Sequence, residues 1–187
     1  MKSRQTDDPI KKKIAAGIEQ LRFPRYDEIP GVGLYLEQTV NYIAEYLDPL
    51  QQGALTASMV SNYVKKKLVP NPVRKMYGRE QIAILFFIAG TKPVLSLEDI
   101  RVLLSIKDAH YDSRTAYNFF CDEIESVIRS VFGLDEGEEK PAAAKQSEKY
   151  AAEEKAILHN TVIAVAHKIY LEKWITLYAS QQQESME

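Results

Sequence analysis

Cysteine is almost absent from this chain. The 187 residues include a single one, Cys121, which excludes an internal disulfide and any metal site that needs several thiolate ligands. An isolated cysteine of this kind is expected to serve as a small buried apolar side chain.

Long apolar runs are absent too. The longest apolar stretch, residues 156–178, is interrupted by Lys168, Glu172 and Lys173, whereas a membrane-spanning helix needs about 20 nearly uncharged residues. The polar N-terminus lacks the apolar run that a signal peptide requires. We therefore predict a protein that stays in the cytoplasm and does not contact a membrane.

The sequence also lacks the usual signatures of catalysis. It has no glycine-rich phosphate loop, no serine nucleophile elbow, and no histidine paired at a recognised spacing with a nucleophile or with carboxylates. His159 and His167 would share one face of a helix, but no carboxylate or thiolate stands at a matching spacing to complete a metal site. We therefore predict that the protein is not an enzyme and that it uses neither a cofactor nor a metal.

Acidic residues are missing from one segment, between Asp48 and Glu80, which nevertheless holds six basic residues. These are Lys65, Lys66, Lys67, Arg74, Lys75 and Arg79. The whole chain has 24 basic and 26 acidic residues, so removing these six leaves 18 basic against 26 acidic residues. Such clustering is the electrostatic footprint of a protein that contacts a phosphate backbone. A solvated, lysine-rich helix end is the alternative interpretation.

Hydrophobic periodicity predicts helices along most of the chain, and no long run alternates as a strand would. Pro70 and Pro72 prevent a helix from continuing through residues 68–77, which are predicted to form an extended excursion or a short hairpin. The predicted helices cover residues 8–22, 34–47, 56–66, 79–89, 96–107, 113–132 and 147–180.

These helices group into three predicted regions. Residues 1–33 form a helical arm and a connector, residues 34–107 a compact domain, and residues 108–187 a C-terminal helical region suited to dimerisation. An acidic, alanine-rich tract within the third region, residues 134–146, is predicted to be a flexible linker.

The helix predicted for residues 56–66 has two different faces. Thr56 is a good N-cap, because its hydroxyl can accept a hydrogen bond from a free amide of the first turn. Val60, Tyr63 and Val64 mark the inner face, and the outer face presents Ser58, Ser61, Asn62, Lys65 and Lys66. Small polar residues let a helix enter a groove closely, and the amide of Asn62 could bond both edge groups of adenine, cap a turn or contact phosphate.

Three motifs, in this order along the chain, resemble the winged helix-turn-helix of the MerR regulators. They are TASMVSNYVKKKLVP at 56–70, RKMYGREQI at 74–82 and LSLEDIRVLL at 95–104. The region around them, residues 34–107, also resembles an uncharacterised bacterial family of MerR-like proteins that is known only as a domain of unknown function. The resemblance implies an all-α fold with at most a short two-stranded wing.

The resemblance also implies which residues meet DNA. It places the base contacts on the helix and the phosphate contacts on the helix end and the wing, with Tyr63 as the aromatic that supports the helix. MerR proteins commonly carry an Arg-Tyr pair where this chain has Ser61 and Asn62, and the wing here is shorter and lacks its usual glycine. The predicted DNA-binding residues are Ser58, Ser61, Asn62, Lys65, Lys66, Arg74, Lys75 and Arg79.

We therefore expect a sequence-specific transcriptional regulator that binds double-stranded DNA as a homodimer. The alternative is a non-catalytic protein-interaction module on a degenerate winged-helix scaffold. A small molecule or a protein could act as effector at the C-terminal helices, where aromatic residues would line a pocket or else pack in the core or a dimer. These aromatic residues are Tyr150, Tyr170, Trp174 and Tyr178.

Overall fold

A computed structural model describes residues 9–50, 53–134 and 153–184 of the chain. Within them the fold is all-α apart from one short antiparallel sheet, as the sequence predicts. The helices are α1 (Pro9–Ala16), α2 (Leu36–Leu47), α3 (Ala57–Lys65), α4 (Arg79–Thr91), α5 (Leu97–His110), α6 (Ser113–Val131) and α7 (Glu153–Glu184). The strands are β1 (Leu34–Tyr35) and β2 (Met76–Tyr77), and short 3-10 turns cover 26–28 and 48–50.

Side-chain caps fix where several helices begin. The Thr56 hydroxyl accepts a hydrogen bond from the Met59 amide over 3.2 Å. Ser96 and Asp99 form a reciprocal capping box at the start of α5. The cap predicted at Thr56 is confirmed, and the Ser96–Asp99 pair likewise depends only on residues three positions apart.

Several predicted helices have different limits in the structure, and α5 and α7 extend to His110 and Glu184, beyond the predicted residues 107 and 180. The first helix, predicted for residues 8–22, ends at Ala16 and passes into a turn beginning at Gly17, a residue that disfavours helix. The second begins at Leu36, not Leu34, because residues 34 and 35 pair with β2. The tract 135–146 of the predicted linker lies outside the described residues, as do the first six residues of the last predicted helix.

The apolar helix α4 lies at the centre of the fold, as its sequence predicts. Ile82, Leu85 and Phe86 are fully buried, and the helix contacts α2, α6 and α7. At Gly90 the neighbouring helix α6 comes so close that an added Cβ would lie 2.8 Å from the Phe120 ring. One continuous cluster of buried side chains includes residues from α1 through α7.

Residues 23–31, most of the predicted connector 23–33, form a strap packed along α6. Phe23 is 0 % exposed and its ring lies 5.9 Å from that of Phe86 and 6.0 Å from that of Phe120. The Arg25 guanidinium binds both carboxylate oxygens of Glu125 at 2.8 Å. The hydrogen bond to that carboxylate raises the pKa of Arg25. The strap therefore contributes Phe23, Pro24 and Ile29 to the core, while Asp27 and Glu28 stay exposed.

The long helix α7 packs against α6, α1 and α4. Val162, Val165 and Ile169 form its buried face. Across that face, His159 Nδ1 lies 2.8 Å from a carboxylate oxygen of the buried Glu123. In the described residues no helix is both long and apolar enough to cross a bilayer. The predicted division into three regions stays a prediction.

Candidate nucleic-acid interface

Helix α3 presents a polar face to solvent. Val60 and Tyr63 are buried beneath it, and burial raises the pKa of the Tyr63 hydroxyl. The Ser61 hydroxyl donates to the Ala57 carbonyl at 2.9 Å, which leaves its oxygen able to accept. The structure therefore exposes together the five predicted contact residues of this helix, Ser58, Ser61, Asn62, Lys65 and Lys66.

The C-terminal end of α3 is closed by a tight turn. The Leu68 amide donates to the Tyr63 carbonyl and the Lys67 amide to the Val64 carbonyl, each over 2.9 Å. This pairing is a Schellman motif, in which the position of Lys67 is usually glycine. From α5, Arg101 Nη2 donates to the Lys66 carbonyl at 2.8 Å. The helix end is therefore fixed while the side chains of residues 65–67 stay exposed.

A second tight turn carries Arg74 and Lys75. Val73 and Met76 exchange two backbone hydrogen bonds, of 3.0 and 2.9 Å, and the two residues between them have φ angles of +52° and +66°. Positive φ at both central positions defines a type I′ hairpin turn. The predicted short hairpin is therefore present, and its outgoing strand pairs with β1 through Met76 and Tyr77.

Lys67, Arg74 and Lys75 share an unusual backbone conformation. Among the residues that the structure describes, they are all of the non-glycine residues with positive φ. An L side chain in this region costs roughly 1–2 kcal/mol, and glycine or asparagine would remove most of that cost. Strain of this kind concentrates at functional sites. The only sequence signal for this strain was that the segment likened to a MerR wing lacks the usual glycine.

Arg79 is placed differently from the other predicted residues. Its Nε donates to the Ile29 carbonyl at 2.7 Å and its Nη2 to the Asp27 carbonyl at 3.3 Å. An added Cβ on Gly31 would lie 3.1 Å from the same Nη2. The guanidinium thus holds the strap in place, and the structure does not group it with the exposed cations of α3 and the turn.

The model of a protein family described as a domain of unknown function (DUF1836) matches residues 24–120, which is more than half of the chain. The chain belongs to the DUF1836 family. No curated protein and no solved structure matches it. The DUF1836 match includes α3, the 73–76 turn, Arg79 and nearly all of the strap.

Among the other reactive side chains of this DUF1836 protein, Cys121 and His159 make contacts inside the fold. Burial raises the pKa of the Cys121 thiol to about 12, so the thiol stays protonated and fits the predicted role of a small buried side chain. His159 contacts Glu123, whereas His167 is exposed. Across the described ranges, no three His, Cys, Asp or Glu side chains come together in a way that could hold a metal ion.

Of the aromatic residues expected either to line an effector pocket or to pack in the core or a dimer, the structure describes Tyr170, Trp174 and Tyr178. Tyr170 packs edge-on against Phe132, with ring centroids 5.4 Å apart. Trp174 stacks on Tyr178 at 5.0 Å. Tyr150 is outside the described residues. None of the three described aromatics lines the cavity that lies between α4, α5, α6 and α7.

Proposed function

We propose that this DUF1836 protein is a sequence-specific DNA-binding transcriptional regulator. The observation that carries the proposal is the strained backbone at Lys67, Arg74 and Lys75. Local conformational energy favours glycine or asparagine at these positions, yet each holds a long, exposed cation, and Lys67 directly follows the end of α3. DNA phosphates are the partner that such a set of exposed cations fits.

The order of the elements supports the likeness to the winged helix-turn-helix of MerR regulators. Strand β1 is followed by α2, α3, the 73–76 turn and β2, and β2 pairs back onto β1. In this arrangement α3 is the recognition helix and the 73–76 turn is a short wing. The likeness also favours the cytoplasm as the place where the protein acts.

The exposed side chains divide by chemistry into two roles. Ser58, Ser61 and Asn62 are short enough for the edges of bases in the major groove. The longer cations, Lys65, Lys66, Lys67, Arg74 and Lys75, reach the phosphates on either side. Arg79 acts as a positioning residue, because its donors hold the strap against the domain that carries α3.

A second copy of the chain is the proposed partner on DNA. One DUF1836 domain contacts only a few base pairs, so specificity calls for a two-fold dimer with recognition helices about 34 Å apart. Along α7, Leu171, Ile175 and Tyr178 are 56, 59 and 46 % exposed. Their spacing puts them on one side of the helix. This apolar stripe is the proposed dimer contact.

Ile175→Glu is expected to convert the dimer to a monomer at micromolar concentration, because a carboxylate would lose its hydration in the apolar contact. Sedimentation velocity on the full chain measures the change. The matched control is Ser180→Glu, an exposed position on the other side of α7, which should leave the dimer intact. Equal masses for the wild type and Ile175→Glu would contradict a dimer built on this stripe.

Lys66→Ala and Asn62→Ala should weaken DNA binding in different ways. Losing the lysine removes one phosphate contact, so affinity should fall for every duplex and the salt slope should flatten by about 0.9. Losing the amide should cost about 1–3 kcal/mol on the selected sequence only. Fluorescence anisotropy with a random duplex and a selected duplex, at several salt concentrations, separates the two effects.

Lys13→Ala is the control for these variants, since this exposed lysine lies on α1 and outside the DUF1836 match. Unchanged affinity and salt slope in Lys66→Ala would refute the docking proposed for α3. If the wild type bound no DNA even at low salt, the protein-interaction module would become the better interpretation.

A further inference from the structure

Helices α4, α5, α6 and α7 line a half-open cavity of about 140 Å³. It lies where the DUF1836 region meets the C-terminal helix. Most of its wall is apolar, including Ile84, Phe87, Leu104, Ala116, Phe120 and Leu158. A concave, largely apolar site between helices with a few polar groups at one end is the usual form of a small-molecule site.

The size of the cavity limits what can enter it. Empty apolar cavities of about 150 Å³ stay dry and bind benzene. The cavity here is close to that volume, so one six-membered ring with one or two small substituents fits within it. The phenyl groups of Phe87 and Phe120 in its wall offer edge-to-face contacts to such a ring.

Polar groups at the rim indicate which substituent the ring carries. Lys107 Nζ donates to the Ser113 hydroxyl at 3.3 Å, and that hydroxyl donates to Glu80 Oε1 at 2.9 Å. The chain of hydrogen bonds ends on a carboxylate, which can only accept when ionised. A ligand at this end therefore needs a donor, and a hydroxyl makes a short, strong bond to a carboxylate.

The charges around the rim favour a neutral ligand. Glu80 and Glu154 balance Lys107 and Lys155. All four groups have partners within the chain: beside the bond from Ser113 to Glu80, Lys107 pairs with Asp108 at 2.5 Å, Glu154 lies 3.5 Å from His110, and Lys155 Nζ lies 5.3 Å from the centroid of the Phe119 ring. A charged ligand would have no excess of opposite charge to meet.

We propose that this cavity binds an uncharged monocyclic phenol. The ring lies among the apolar side chains of the four helices and the hydroxyl donates to the Glu80 carboxylate. The site goes beyond the proposed DNA binding and does not depend on it. Because residues of both α4 and α7 form the wall, an occupant would join the C-terminal helix to the DUF1836 region.

The test uses 4-methylphenol as the probe and the full chain as the protein. Methyl-resolved NMR should show saturable one-to-one binding, with shifts at Ile84, Leu104 and Leu158. Isothermal titration calorimetry should show toluene binding severalfold more weakly and benzoate at least tenfold more weakly than 4-methylphenol. Absence of saturable 4-methylphenol binding at millimolar concentration would overturn the proposal.

Substitutions in and near the cavity show where the probe binds. Ala116→Leu should fill the cavity and weaken binding at least tenfold, whereas Ser126→Leu, at an exposed position of the same helix, should not. Glu80→Gln should weaken 4-methylphenol severalfold and leave toluene unchanged. Thermal unfolding of each variant confirms that it folds.

Three outcomes of these measurements overturn the proposal. The first is unchanged binding in Ala116→Leu, which would put the probe elsewhere. The second is an equal weakening of 4-methylphenol and toluene binding in Glu80→Gln, which would show that the hydroxyl does not bond to Glu80. The third is a set of nuclear Overhauser contacts from residues 135–152 to the cavity methyl groups, which would show that a segment of this chain, and not a small molecule, fills the cavity.

Discussion

Replacing Lys67 with glycine, Arg74 with asparagine and Lys75 with glycine is expected to make the protein more stable. Removing the left-handed strain raises the free energy of unfolding by roughly 1–2 kcal/mol per residue. The conformational freedom of glycine in the unfolded chain lowers it again by about 0.5–1 kcal/mol per glycine. The triple variant should therefore gain about 2 kcal/mol. Its Tm should rise by roughly 4–8 °C for a chain of this length, as measured by circular dichroism.

The same triple variant is expected to lose DNA binding. Three phosphate contacts disappear, so the salt slope should flatten by about 2.7. At about 1.4 kcal/mol per contact, each loss weakens affinity about tenfold, and the three together about a thousandfold. A gain in stability combined with this loss is the outcome expected if these side chains are kept for DNA.

The matched control replaces Lys67, Arg74 and Lys75 with alanine. Alanine removes the charges but keeps the Cβ atoms that cause the strain, so DNA binding should fall as before while the Tm stays near that of the wild type. If the glycine and asparagine variant were stabilised yet bound DNA with unchanged affinity and salt slope, these side chains would have no part in binding.

Phe23→Ala is expected to cause the largest loss of stability among single substitutions in the strap. The ring is fully buried and lies edge-on to Phe86 and Phe120. Removing it loses apolar burial and leaves a cavity between α4 and α6, at a cost of about 3–5 kcal/mol. The Tm should fall by roughly 10 °C, and urea unfolding gives the free energy directly.

Two other substitutions test whether this loss comes from the packed ring. Phe23→Leu keeps most of the apolar volume and should cost less than half as much. Val32, the residue just after the strap, is 84 % exposed, so Val32→Ala should change stability by less than about 0.5 kcal/mol. A loss below about 1 kcal/mol in Phe23→Ala, against the range expected for core phenylalanines, would show that the strap is not part of the core.

Features fixed by neighbouring residues could be predicted from the sequence. The cap at Thr56, the capping box at Ser96 and the apolar helix around Phe86 each depend on side chains within one or two helical turns. The strap could not be predicted in this way. Pro24 and Pro30 indicate an irregular segment correctly, but burial of the strap depends on α6, which lies about a hundred residues later.

Only part of the candidate site could be predicted from the sequence, because the rest depends on contacts between segments that are distant in the chain. Composition identified the six basic residues, and helical periodicity placed Lys65 and Lys66 on the outer face of α3. The sequence offered nothing to distinguish Arg79 from Arg74. The first bonds to carbonyls of a segment 50 residues away, and the second is exposed at the tip of a turn. Only the fold shows that Arg79 is bonded within the chain whereas Arg74 is exposed.

The docking of the strap on α6 also governs the order in which the protein can fold. Arg25 and Glu125 are 100 residues apart in the chain, so during synthesis Phe23 has no complete binding site until α6 has left the ribosome. Contacts of such long separation form late and slow the folding rate. A fragment limited to residues 34–107 would expose the apolar side of α4 in water, and exposed surfaces of this kind aggregate.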